Sequence, residues 1–177
     1  MDSINKNQQE ENHKDLQAGE AAEKIKELTE KAKTCFFCTA VKDAQFATRP
    51  MSVQKIDDNG TYWFLSASDS HKNEEIALDK KVRLLFQGSP HSDFLSIEGN
   101  ATVSTDKAKI KELWEPILKT WFTEGVDDPR ITVISVVPYD GYYWDTKHGN
   151  LVAFAKQLVG AALGKTMDDS IEGSLKP

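Results

Sequence analysis

The chain is poor in the residues that most often announce a chemistry: it has two cysteines, three arginines, and no apolar run approaching a membrane span of roughly 20 residues. The cysteines stand as Cys35-Phe-Phe-Cys38 inside Thr34-Cys-Phe-Phe-Cys-Thr-Ala-Val41, a β-branched and aromatic stretch that reads as a buried strand. A Cys-x-x-Cys redox pair normally opens a helix, whose dipole lowers the thiol pKa. Residues three apart on a strand point to opposite faces, so these thiols read as core residues and not as a redox couple. A zinc site needs more ligands, and His13, His71, His91 and His148 show no ligand spacing with them. Positive charge is scarce as well. A formal charge of −6 argues against a nucleic-acid backbone or an anionic membrane as the main partner. The amino terminus, Met-Asp-Ser-Ile-Asn-Lys-Asn-Gln-Gln-Glu-Glu-Asn, lacks the hydrophobic segment of a signal peptide, so a cytoplasmic protein is expected. No internal repeat, no low-complexity linker and no evident catalytic acid or base is visible.

What is present suits one domain. With 177 residues, 39% hydrophobic and 28% charged, the chain can bury a sizeable core. Residues 1–17 lack apolar periodicity and are expected to form a mobile polar tail, 18–164 the domain, and 165–177 a polar tail. Ala21, Ile25, Leu28 and Ala32 recur at helical spacing over 18–33. Strands are expected at 34–41, 46–56, 61–66, 82–87 and 94–104. Asp57-Asp58-Asn59-Gly60 reads as a hairpin turn whose Asn-Gly supplies positive φ. Thr105 or Asp106 caps a helix carrying Ile110, Leu113, Trp114, Ile117 and Leu118, with Pro116 kinking it. Two last strands, 131–137 and 142–145, flank a break at Pro138-Tyr-Asp-Gly141, and a final helix runs from Leu151 to Leu163 with Gly164 as its cap. Roughly six strands without βαβ alternation favour a barrel or α+β arrangement.

The stretch Tyr62-Trp-Phe-Leu-Ser66 followed by Ser70-His-Lys72 carries the functional reading. An aromatic strand delivers hydroxyls to a short helix with Ser70 at its N-cap and Glu74 and Glu75 in its first turn. Free N–H groups, the Ser66, Ser68 and Ser70 hydroxyls and the Lys72 ammonium could converge on a phosphate. The plain alternative is a capped helix with a solvated lysine. The neighbouring Ala47-Thr-Arg-Pro-Met-Ser-Val-Gln54 places Arg49 before Pro50 on an extended segment, and a strand proline marks an edge where the backbone can face a ligand.

Arg49-Pro50-Met51, Trp63-Phe64-Leu65-Ser66 with Ser70-His71-Lys72, Trp114-Glu-Pro116, Trp121-Phe122, Gly125 with Asp127-Asp128-Pro129, and Tyr143-Trp144-Asp145, in that order, resemble the pyridoxamine phosphate oxidase-like flavoproteins, most closely their general stress protein branch. The resemblance covers roughly Ala21 to Gly164. It implies a six-stranded antiparallel FMN-binding split barrel with flanking helices, a homodimer with flavin at the subunit interface, and oxidoreductase chemistry on a small substrate. It implies Lys72, Ser70 and Ser66 at the flavin phosphate, Arg49 at the phosphate or the N1/O2 edge of the ring, and Pro50, Met51, Trp63 and Phe64 around the ring. Trp144 resembles a tryptophan that reaches the flavin from the partner subunit, while Trp114 and Trp121 are expected in the core. The oxidases have Ser-Arg-Lys where this chain has Ser70-His71-Lys72, and they carry an arginine-rich carboxyl-terminal segment, whereas no arginine follows Arg130. Vitamin-forming oxidase activity is therefore not expected. A non-enzymatic flavin-binding stress protein, or a barrel module for haem, deazaflavin or an oligonucleotide, remain the alternatives, the last opposed by the acidic balance.

Overall fold

Alternation along the sequence becomes one open sheet in the computed structural model, which describes residues 12–43, 46–149 and 169–177. Its strands are β1 (Leu16–Gln17), β2 (Thr34–Thr39), β3 (Ala47–Ser52), β4 (Lys55–Ile56), β5 (Tyr62–Ala67), β6 (Lys81–Gln87), β7 (Phe94–Ser104), β8 (Ile131–Thr146) and β9 (Ser170–Lys176). Helix α1 (Ala18–Ala32) follows β1, α2 (His71–Leu78) joins β5 to β6, and α3 (Lys107–Leu113) follows β7. The order across the sheet is β1-β9-β8-β7-β6-β2-β3, with β5 also paired along β8 and β4 along β5. Among the described strands, all pairings are antiparallel except β1 with β9. The fold is thus mainly strands with flanking helices, the split-barrel kind. The expected strands correspond to β2, β3 with β4, β5, β6, β7 and β8, the expected strand at 46–56 being interrupted between Ser52 and Lys55; β1 and β9 are additional. Strand β3 is an edge, the place where Pro50 leaves no ladder donor missing.

Two apolar clusters hold the sheet in shape. The main one fills the space enclosed by α1 and the inner faces of the strands, with Ile25 and Leu28 of α1 against Phe37, Tyr62, Phe64, Leu84, Ile97 and Tyr143. Strand parity explains this face. Tyr62, Phe64 and Ser66 are buried along β5, while Trp63, Leu65 and Ala67 point to the second cluster under α3, with Ile110, Leu113, Leu118, Phe122, Ile131 and Val133. Phe37 meets Phe64 edge-on at 5.3 Å between centroids, a favourable quadrupolar arrangement.

Several sequence expectations are corrected. The Pro138–Gly141 break is a bulge inside one 16-residue strand, β8. Glu98 pairs with Asp140 and Gly99 with Pro138, leaving Tyr139 as the extra residue. On its other side β8 pairs with β5 up to Val136 and with β9 from Gly141, so Pro138 falls in the gap and its missing N–H costs no bond there. Pro116 does not kink α3. The helix ends at Leu113, Trp114 and Glu115 are extended, and Pro116 opens a 3₁₀ turn to Thr120, as the crowding of the residue before proline favours. In the β4–β5 turn only Gly60 has positive φ (+77°), and its N–H bonds Asp57 O at 2.9 Å, so glycine alone supplies the left-handed residue. Residues 16–17 and 170–176, expected as polar tail, are the paired strands β1 and β9, His13 forms a single bridge to Glu172, and Leu16 and Leu175 are buried. The helix expected at 151–163 and the Gly164 cap lie outside the described residues.

Candidate functional site

Helix α2 is placed by a hydrogen-bonded joint with the sheet. Asn73 Nδ2 donates to Ala67 O (3.1 Å) and Thr132 Oγ1 (3.0 Å), Ser66 Oγ donates to Asn73 Oδ1 (3.0 Å), and Thr132 Oγ1 donates to Ser66 O (2.9 Å). Ile76 closes the arrangement by entering the main core. The first turn of α2 is thereby fixed beside the edge strand β3 and the end of β2.

There Arg49, Thr39 and Glu75 meet. Arg49 donates to Glu75 Oε2 at 2.8 Å and to Thr39 Oγ1 at 3.1 Å, and the Thr39 hydroxyl itself donates to Glu75. Thr39 is fully buried, whereas the Arg49 and Glu75 side chains are 23% and 27% exposed, so the pair lies at the surface of the barrel within reach of a ligand. Burial works against the Glu75 carboxylate, but Thr39 and Arg49 more than offset it and hold its pKa below the usual carboxylate range.

Lys72 is different. It is partly buried, its ammonium donates to Ser70 Oγ at 2.6 Å, and among the described residues no carboxylate stands within ion-pairing distance of it. Burial pushes its pKa below the ordinary lysine range, and the neighbouring Arg49 charge adds to the depression against the weaker pull of Glu75 and Asp69. A partly buried ammonium whose direct protein partner is a hydroxyl keeps donor capacity for an anionic ligand. Ser70 occupies the N-cap position with extended backbone, yet its hydroxyl makes no capping bond and is turned to Lys72.

The structure brings together Arg49, Ser70 and Lys72 of the expected site residues, and it adds Thr39 and Glu75. Pro50 and Met51 flank Arg49 on β3, Met51 packed on the main core and Pro50 exposed on the outer face opposite Phe36. Phe64 and Ser66 are not brought to it as free groups: Phe64 is fully buried in the core, and the Ser66 hydroxyl is engaged by Asn73. Trp63 lies on the opposite face of β5, its Nε1 donating to Asp57 at 3.1 Å and Lys109 Nζ 4.4 Å from its ring centroid. Trp144 is on the outer face of β8, 4.7 Å from the Tyr142 ring, with β7, β6 and β2 between it and β3. His71 points to solvent, 92% exposed. Trp114 joins the second cluster as expected, whereas Trp121 is 62% exposed and is not a core residue. Glu75 carried no signal in sequence beyond a suitable charge for a helix first turn, because its partners are 26 and 36 residues away.

Next to the site the outer face is apolar. Pro50, Phe36 and Leu85 are cross-strand neighbours on β3, β2 and β6, with Phe36 56% and Leu85 38% exposed. With Thr34, Gln87 and Phe94 they line a shallow groove of about 380 Å³. Among the described residues no helix is long and apolar enough to cross a membrane.

This fold, an open and mainly antiparallel sheet wrapped on α1, is shared with known proteins. Residues 20–169 match the family described as pyridoxamine 5'-phosphate oxidase like, and the chain belongs to that family. In structure it is similar to a candidate general stress protein 26 from Jannaschia sp. CCS1, with a TM-score of 0.76 and 19% identity over 90% of this chain and 100% of that one. It is similar also to the general stress FMN/FAD binding protein of Xanthomonas citri, with a TM-score of 0.58 and 24% identity over 68% of this chain and 85% of that one. In sequence it is 26% identical over 111 residues to protein bli-3 of Neurospora crassa, covering 58% of this chain. The match spans 53%, about half, of that relative's own length.

Proposed function

We propose that this protein binds FMN, in the manner of the general stress protein branch of its family, and acts as an oxidoreductase on a small substrate. The observation that carries the reading is the partly buried Lys72 ammonium, which has a hydroxyl partner in Ser70 and, among the described residues, no carboxylate within ion-pairing distance. A flavin phosphate is an anion that the ammonium and hydroxyl suit, and Lys72 and Ser70 are the groups that would hold it. Arg49 stands beside them, its charge shared with Glu75. Pro50 and Met51 would border the ring system from the edge strand. The name of the Xanthomonas citri neighbour, which binds FMN or FAD, supports the choice of ligand.

Bound flavin supplies reversible acceptance of a hydride. The chain's own part is to hold the phosphate at Lys72, to keep positive charge near the ring through Arg49, and to exclude water with the apolar row of Pro50, Phe36 and Leu85. That exposed row adjoins the site and suits the face of a second copy, which would complete the pocket and bring its Trp144 to it. Two reduced, buried cysteines are consistent with a cytoplasmic location.

The test is the visible spectrum of freshly purified protein, mass analysis of whatever is released on denaturation, and reduction by a nicotinamide donor. Released FMN that is reduced and reoxidised is the expected result. Bound FMN that no donor reduces would identify a binding protein without turnover. A colourless protein that refuses added FMN, or one that releases haem or a deazaflavin, would overturn the reading.

A further inference from the structure

Resting on the phosphate reading of Lys72, we infer that Glu75 is a specificity-determining residue that limits the site to one net positive charge, so that the phosphate is held by Lys72 while Arg49 stays committed to Glu75. The geometry argues for this assignment. Arg49 is not a waiting guanidinium: it donates to Glu75 at 2.8 Å and to Thr39 at 3.1 Å. Thr39 has no exposed surface and donates to the same carboxylate oxygen, so the carboxylate is tied to the sheet from two sides and cannot swing away without depriving the buried Thr39 O–H of its acceptor. Two cations and one anion therefore face the site, Arg49 and Lys72 against Glu75. Asp69 also acts on Lys72, but it is exposed and its charge is screened by solvent.

The consequence is chemical. A phosphomonoester carries about −1.5 to −2 charges at neutral pH. A site of net charge +1 leaves part of it unneutralised, so binding is reversible and does not run to the tightest affinity the cations alone would give. Glu75 occupies the place of a competing anion on Arg49. A glutamate carboxylate is ionised throughout the neutral range, and Thr39 and Arg49 hold its pKa lower still, so this counterweight is permanent there.

The experiment titrates flavin-free full-length protein with FMN and with riboflavin, which lacks the phosphate, following flavin fluorescence for wild type, Glu75→Gln and the double variant Arg49→Gln/Glu75→Gln. Expected are a preference of wild type for FMN over riboflavin, and FMN affinity about tenfold higher in Glu75→Gln with riboflavin unmoved. In the double variant, whose net charge equals that of wild type, FMN affinity returns to within about threefold of wild type. An FMN-to-riboflavin ratio unchanged in Glu75→Gln overturns the inference while leaving the phosphate site standing. The double variant decides the matter even if Glu75→Gln fails to fold: a loss of FMN affinity beyond about tenfold would make Arg49 the phosphate's direct cation and overturn it. If wild type binds riboflavin as tightly as FMN, the phosphate reading falls, and this inference falls with it.

Discussion

Thr29 and Tyr62 share a hydroxyl–hydroxyl hydrogen bond of 3.1 Å in the interior, joining the last turn of α1 to the first residue of β5. Both residues are almost wholly buried, and burial raises the Tyr62 phenol well above its ordinary pKa, so the bond is neutral at any working pH. Tyr62→Phe keeps the ring stacked between Phe64 and Phe86 but strands the Thr29 hydroxyl. The expected cost is about 1–2 kcal/mol in urea unfolding, with FMN affinity unchanged. A variant as stable as wild type would show that the hydroxyl finds another partner.

Lys72→Glu places a carboxylate where the proposed phosphate would bind. FMN retention should be lost, while the melting temperature moves by no more than about 2 °C, since Lys72 makes no ion pair among the described residues. Flavin fluorescence titration beside a circular dichroism melt checks both halves. Unchanged FMN affinity would remove Lys72 from the phosphate.

Gly173 sits in β9 where β1 and the residues before it approach most closely. A Cβ there would fall 1.9 Å from the Lys14 carbonyl oxygen and 2.5 Å from its carbon, so backbone must move. Gly173→Ala is therefore expected to detach residues 12–17 from β9, exposing Leu16, and to lower the melting temperature by about 4 °C. Limited proteolysis should then cut near Lys14, which wild type resists.

Glu112 predicts an acid limb. The hydrogen bonds from Lys109 (2.6 Å) and Lys55 (2.7 Å) hold its pKa down to about 2, against an ordinary 4.5. A carboxylate depressed in the folded state stabilises it fully above the unfolded pKa and loses that contribution as pH falls towards the folded value. The stability difference between wild type and Glu112→Gln should therefore be largest above about pH 4.5, shrink as pH falls and vanish only below about pH 2. The cluster is exposed, so the difference should also shrink in high salt, as urea midpoints at two ionic strengths would show.

How much of this was legible depended on whether the signal was local. The stripe Ala21, Ile25, Leu28 defined α1, and apolar alternation defined β7 to its end residues. Pro50 marked β3 as an edge, and the passage from β5 to α2 was readable from an aromatic run ending in hydroxyls. Parity was harder. Tyr62 to Ala67 alternates cleanly, but both of its faces are apolar because each covers a different cluster, so the sequence did not say that Phe64 and Ser66 look inward and Trp63 towards α3. Strand β9 offered only Ile171 and Leu175 among polar residues, and its partner β1 is two residues long. The Arg49–Glu75 pair depends on where α2 docks, a tertiary fact no spacing encodes.

The late position of β8 has a cost during synthesis. This strand pairs with β5, with β7 along its length and with β9, yet it begins only at Ile131. Until it leaves the ribosome, the β5 and β7 edges that it will cover have no partner, and the aromatic row of β5 has no neighbour on that side. Such unpaired edges are templates for association with other chains, and closure through distant partners is slow. Folding is therefore held back until most of the chain has been made, and a nascent chain stalled before Ile131 is the species most in need of a chaperone.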